Sequence, residues 1–179
     1  MSESESRLFL VDELPGFTPQ IGRLVSMMRY VRHTTLADAA GLGVEQLDYL
    51  HDPTSNSIGA LLLHIAAVEV AYQAITFRRR DLTEEEENEW NGALDLGDKA
   101  RRGIRGHDLN YYVKRLEGVR ADTLAEFARR NDDWLAEQTP FWGGRRANNH
   151  FKWFHVLEDE LNHRGQIRWL KTRALRDSA

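Results

Sequence analysis

Cysteine is absent from all 179 residues. The chain can therefore form no disulfide and offers neither a thiolate nucleophile nor a cysteine ligand for a metal. The absence also fits a reducing compartment. Excess positive charge is lacking too. Twenty-four Lys and Arg stand against 28 Asp and Glu, a net charge of −4, and no basic block occurs. This argues against nucleic-acid binding by phosphate neutralisation. No run approaches the ~20 apolar residues of a spanning helix. The start, MSESESRLFL, has neither the basic head nor the long apolar stretch of a signal peptide. The expectation is a cytoplasmic protein with no membrane or nucleic-acid partner. Strand-type alternation and internal repeats are missing as well.

What is present is a globular balance: 41% apolar and 29% charged residues. The length fits one domain over residues 1–179, with a loosely ordered stretch at 1–15. After the breaks at Pro15, Gly16 and Pro19, apolar residues at Ile21, Leu24, Val25, Met28 and Val31 recur at helical spacing. The connector GLGVEQLDYLHDPTSNS has room for one helical turn at 44–50, and Asn56 or Ser57 can cap the next helix. IGALLLHIAAVEVAYQAITF is apolar nearly all round, which predicts a central helix over 57–77. The acidic run 84–87 suits a short helix start, whereas NGALDLGDKARRGIRG, with four glycines, reads as a long loop. Asp108 can cap a third helix over 109–138, and a fourth spans 148–175. Four long helical segments predict an all-α antiparallel four-helix bundle, with one or two short helices in the connections.

In a bundle, metal sites are built from side chains that project inward from facing helices. His64 lies inside LLLHIAAVE, where a buried imidazole needs a partner. His155, Asp159 and His163 fall four apart on the last helix. Each such step turns by about 40°, so adjacent members can share one ion while all three do so only with difficulty. The triad that emerges is His64 with Asp159 and His163, a nitrogen and oxygen set suited to zinc, nickel or iron, and three protein ligands leave positions open for water or substrate. Each part also has a structural reading. His64 alone fits a hydrogen-bonded core histidine, Asp159 with His163 fits a helical ion pair, and His155 fits packing beside Trp153. His33, His51, His107 and His150 fall near helix ends or in loops and are expected at the surface.

NSIGALLLHIAAVE (56–69) together with HVLEDELNHRGQI (155–167) resembles the DinB-like superfamily, which includes the bacillithiol- and mycothiol-dependent transferases. The resemblance spans most of residues 20–175. It implies an up-down-down-up bundle, often a homodimer, with a three-ligand divalent metal site. The ligands fall on His64, Asp159 and His163. Asp159 departs from the commoner histidine, and an anionic oxygen makes the site harder. His155 and Arg164 are carried forward as a candidate proton carrier and anion contact. Gly165 is assigned to close helix packing and Gln166 to orienting a ligand. The implied activity is metal-dependent transfer of a low-molecular-weight thiol, as cosubstrate, to an electrophilic small molecule. The alternatives are a metal-dependent hydrolase and a metal-binding or dimerising stress protein without catalysis.

Overall fold

In the computed structural model, which describes residues 7–177, eight helices and one small hairpin follow the chain. Four helices are long: α1 (Pro19–Ala39), α3 (Ile58–Gln73), α6 (Leu109–Phe127) and α8 (Asn149–Asp177). Between them lie α2 (Val44–Leu47), α4 (Glu84–Asp95), α5 (Gly97–Gly103) and α7 (Asp132–Ala136). Helix α3 runs on into a wider π-helical turn, Ala74–Arg78, and stops at Arg79, whose φ is 53°.

The helix starts follow local chemistry. Ser57 Oγ accepts from Ala60 N at the start of α3, and Asp108 does the same for Tyr111 N at α6. Thr83 and Glu86 close a reciprocal capping box at α4. Helix α1 has Pro19 at its first turn, where a missing N–H costs nothing, but no cap from its own flank. Its donors are met from a distance: Asp132 Oδ1 accepts from Thr18 Oγ1 at 2.5 Å and from Ile21 N at 3.3 Å.

The cross-helix pairings fix the directions. Arg32 meets Glu160 and Asp38 meets Arg168, so α1 and α8 run parallel. His64 faces Asp159 and Thr76 meets Trp153, so α3 and α8 run antiparallel. Glu69 meets Arg120 and Gln73 meets Thr123, so α3 and α6 run parallel. The order is up-down-down-up. A connection between parallel neighbours must travel back along the bundle, and α4 and α5 make that journey between α3 and α6. This corrects the expectation of a long loop at 91–106: most of the stretch is helical, with Leu96 (φ 54°) and Gly97 (φ 63°) at the break between α4 and α5.

Other boundaries shift. The third helix ends at Phe127 rather than 138, and α7 follows as a separate turn. The expectation of no strands is corrected by β1 (Gln138–Pro140), paired antiparallel with β2 (Arg146–Asn148), Gln138 opposite Asn148. Strands of three residues are too short to show alternation. The buried ammonium of Lys152 pins this hairpin by donating to Thr139 Oγ1. The expectation of no membrane-length apolar stretch is also corrected. Ile58–Arg78 is long and apolar enough to span, yet it is 78% buried inside the protein, as a core helix is. Of the stretch expected to be loosely ordered, residues 1–6 lie outside the described residues, while Leu10 O accepts from Ser26 Oγ at 2.6 Å and Arg23 reaches Glu13 at 2.6 Å.

Two apolar clusters fill the bundle. One holds Leu47, Leu61, Ala66, Tyr112, Leu116 and Ile167, and the other Ile21, Met28, Phe127, Trp153 and Val156. Between them lies a buried ionic layer with one residue from each long helix: Arg32, Glu69, Arg120 and Glu160.

Candidate metal centre

His64 on α3 and Asp159 and His163 on α8 meet in the seam between the two helices. One ligand atom from each lies within 4.8 Å of the others. Asp159 Oδ1 is 3.7 Å from His64 Nε2 and 3.4 Å from His163 Nε2. Both separations are long for direct hydrogen bonds. They match the edge of a tetrahedron with metal–ligand bonds of about 2.1 Å, which is about 3.4 Å. The rings of His64 and His163 stand edge to face with centroids 4.6 Å apart.

Each imidazole is oriented from behind. His64 Nδ1 donates to Ala93 O at 2.8 Å, a carbonyl supplied by α4. His163 Nδ1 lies 3.4 Å from Gln166 Oε1, one turn further along α8. The Ala93 carbonyl can only accept, so the His64 ring carries its proton on Nδ1 and turns the Nε2 lone pair toward the shared space. Asp159 Oδ2 is buried and has no hydrogen-bond partner. An anionic oxygen left so has spare capacity for a cation. The donor set, the His64 tautomer and this orphaned oxygen all fit a divalent ion.

Burial works to raise the Asp159 carboxyl, but the imidazoles of His163 and His64 hold it well below the usual carboxylate range. Burial likewise opposes charge on His64, yet Asp159 and the Ala93 carbonyl outweigh it and the imidazole is raised. The Tyr72 phenol is pushed up by burial and then by the Asp159 charge, and its hydroxyl is buried without a partner.

The other candidate residues are placed differently. His155, one turn before Asp159, packs its ring edge-on against Tyr72 (5.7 Å) and Trp142 (4.7 Å), with Glu158 3.9 Å from Nδ1. It borders the cluster without joining it. Arg164 turns to the other side of α8, where it donates to Thr34 on α1. Gly165 is not a packing contact: a Cβ there would meet nothing within 4 Å. Gln166 stands behind His163 as described.

Sequence reading missed the buried layer next to this seam. Arg120 donates to Glu69 through Nε at 2.7 Å and Nη2 at 3.0 Å, and Arg32 donates to Glu160 through Nε at 2.8 Å and Nη2 at 3.1 Å. Glu160 follows Asp159 directly, so the turn of α8 that presents one carboxylate to the seam anchors the other in the bundle centre. A signal existed in Glu69, the one formal charge within the apolar run 58–77.

A helical bundle of this order, with two histidines and an aspartate converging between its second and fourth long helices, belongs to the DinB-like class. Within that class the chain belongs to the Mycothiol-S-transferase family, whose profile matches residues 23–175. No curated protein matches the sequence. Among solved structures, the crystal structure of the conserved protein of locus from Enterococcus faecalis is similar, with a TM-score of 0.66 at 14% identity, over 85% of this chain and 95% of that one. At that identity the likeness concerns the fold alone.

Proposed function

We propose that this protein transfers a low-molecular-weight thiol to an electrophilic small molecule, with a divalent ion (zinc, nickel or iron) held by His64, Asp159 and His163. The observation that carries the reading is the convergence of three ligand atoms within 4.8 Å, in a chain of the Mycothiol-S-transferase family. Such an ion lowers the pKa of a thiol bound to it, so that the sulfur is a nucleophile at neutral pH. With no cysteine in the chain, the sulfur must come from a cosubstrate.

The remaining roles belong to the protein's own groups. In a transfer RS–H + E–X → RS–E + H–X, one proton moves from sulfur to the leaving group. We assign that proton to His155, one turn from Asp159 on the same helix. The Tyr72 hydroxyl and His155 Nδ1 are both buried without hydrogen-bond partners, and we assign them hydrogen bonds to the electrophile or the leaving group. An anion contact by Arg164 would require its guanidinium to leave Thr34. The reading places the protein in the cytoplasm as a homodimer, which sedimentation tests.

The experiment is metal analysis of protein purified without a polyhistidine tag. About one divalent ion per chain is expected, with loss in His163→Ala. Metal-free wild-type protein would overturn the proposal. Mass spectrometry of a thiol and a haloalkane probe, with and without the protein, then reads the thioether product.

A further inference from the structure

A cavity of about 440 Å³ opens between the β1–β2 hairpin and the first turn of α8. Its apolar walls are aromatic. Trp142 and Phe151 line it and are 61% and 46% exposed, and large rings left together in solvent mark a contact surface. Both are braced from behind. Phe141 stacks on Trp142 with centroids 4.6 Å apart and meets Phe151 edge-on at 6.2 Å. His155 packs edge-on against Trp142 at 4.7 Å. The turn that carries Trp142 is closed by Phe141 N donating to Arg145 O at 2.7 Å and Gly144 N donating to Phe141 O at 2.9 Å. The hairpin thus holds a fixed aromatic surface open to solvent.

The polar groups of the lining have only donors to spare. Gln138 Oε1 accepts from Arg146 Nε at 3.3 Å, and Asn148 Oδ1 accepts from Phe151 N at 2.8 Å. What these two amides retain is N–H. Arg146 Nη2 donates to Gln138 O at 3.1 Å, which leaves Nη1 to the cavity. The Arg145 guanidinium makes no hydrogen bond or ion pair with any described residue.

No acid balances these charges. No carboxylate lines the cavity. Glu137, the residue before Gln138, has both oxygens bound by Arg79 Nη2 at 2.8 Å. The buried Lys152 ammonium adds a third cation 5.3 Å from the Phe141 ring centroid, and its partner is the Thr139 hydroxyl rather than a carboxylate. The complement of such a surface is an anion with a flat apolar body.

We propose that this cavity binds a small aromatic carboxylate, its ring against Trp142 and Phe151 and its carboxylate on Arg145 and Arg146. A guanidinium matches a carboxylate with paired hydrogen bonds, and aromatic rings meet offset or edge-on. The site uses neither the metal centre nor a thiol, so it goes beyond the transfer reaction and stands without it.

Calorimetry on the purified protein tests it, with naphthoate, naphthamide and cyclohexanecarboxylate as probes. Naphthoate should bind about tenfold or more tighter than either of the others. Arg145→Gln should remove most of the gap between naphthoate and naphthamide, and Trp142→Ala should weaken both. The two side chains are exposed, so both variants should melt like wild type. Equal affinity for naphthoate and naphthamide, or naphthoate affinity unchanged in Arg145→Gln, overturns the site. Naphthoate binding lost in Asp159→Ala overturns it as well, by putting the carboxylate on the metal centre. A dimer that dissociates in Trp142→Ala with naphthoate affinity intact does the same, by giving this face to a second copy. Naphthoate binding of the expected pattern in protein that holds no metal supports the site while thiol transfer fails.

Discussion

Glu69 and Arg120 lie side by side at the bundle centre, joined by two parallel hydrogen bonds of 2.7 and 3.0 Å. Thr123 Oγ1 adds a third to the same carboxylate at 2.6 Å, and Arg32 reaches it from α1 at 3.3 Å. Glu69 is wholly buried, so its neighbours supply all its hydrogen bonds. Removing one partner of such a group leaves an uncompensated charge, which costs about 3–5 kcal/mol. Glu69→Gln should therefore lower the urea midpoint by that amount of stability, far more than Glu126→Gln, which disrupts only surface pairs.

The same group sets an acid limit. Burial acts to raise the Glu69 carboxyl, but Arg120 and Arg32 outweigh it and hold it below its ordinary value. A carboxylate lowered in the folded state binds fewer protons there than when unfolded. Its contribution is complete above the unfolded value of about 4.3 and disappears as pH falls through the folded value. Glu86, brought down to about 2 by its bond to Arg80 and the Thr83 backbone, acts in the same direction. Urea midpoints should be nearly level in this respect from pH 8 to 5 and should drop below about pH 4. A midpoint that rises as pH falls below about 4 would count against the buried layer.

Metal loading should stabilise the fold. An ion that binds only the folded chain contributes about 2.7 kcal/mol at a hundred times its Kd. For a chain of this length each kcal/mol moves Tm by about 2–4 °C. Thermal melts with zinc should rise accordingly in wild type and stay flat in Asp159→Ala. An equal rise in both would place the ion elsewhere.

How much of this was legible beforehand depended on distance along the chain. The Ser57 and Asp108 caps, the apolar α3 and the Asp159–His163 face are local patterns, readable because helix period and capping act within a few residues. Pairing His64 with them needed only two facing helices. The buried layer needed more. Arg32, Arg120 and Glu160 look like ordinary polar-face residues until the up-down-down-up order brings one from each helix to a single level. The four glycines at 92, 97, 103 and 106 suggested a loop, but Gly92 lies within α4 and Gly97 and Gly103 are the end residues of α5. Gly165 was assigned to packing by its setting beside a helix face, and only the emptiness around it shows otherwise.

Two of the helix glycines, Gly59 and Gly165, contrast in stability. Alanine at an exposed helix interior is favoured over glycine by about 0.5–1 kcal/mol. Gly165→Ala meets no obstruction, so it should gain that increment and raise Tm by a few degrees. Gly59→Ala has the same propensity gain, but its Cβ must displace Tyr112, a ring that is wholly buried among Leu61, Leu116 and the rest of that cluster. Overpacking of that kind costs about 1–3 kcal/mol, which exceeds the propensity gain. Gly59→Ala should therefore melt lower than wild type while Gly165→Ala melts higher. Calorimetric scans of the two variants decide it, and a drop in Tm for Gly165→Ala would mean that the space beside that residue is filled in solution.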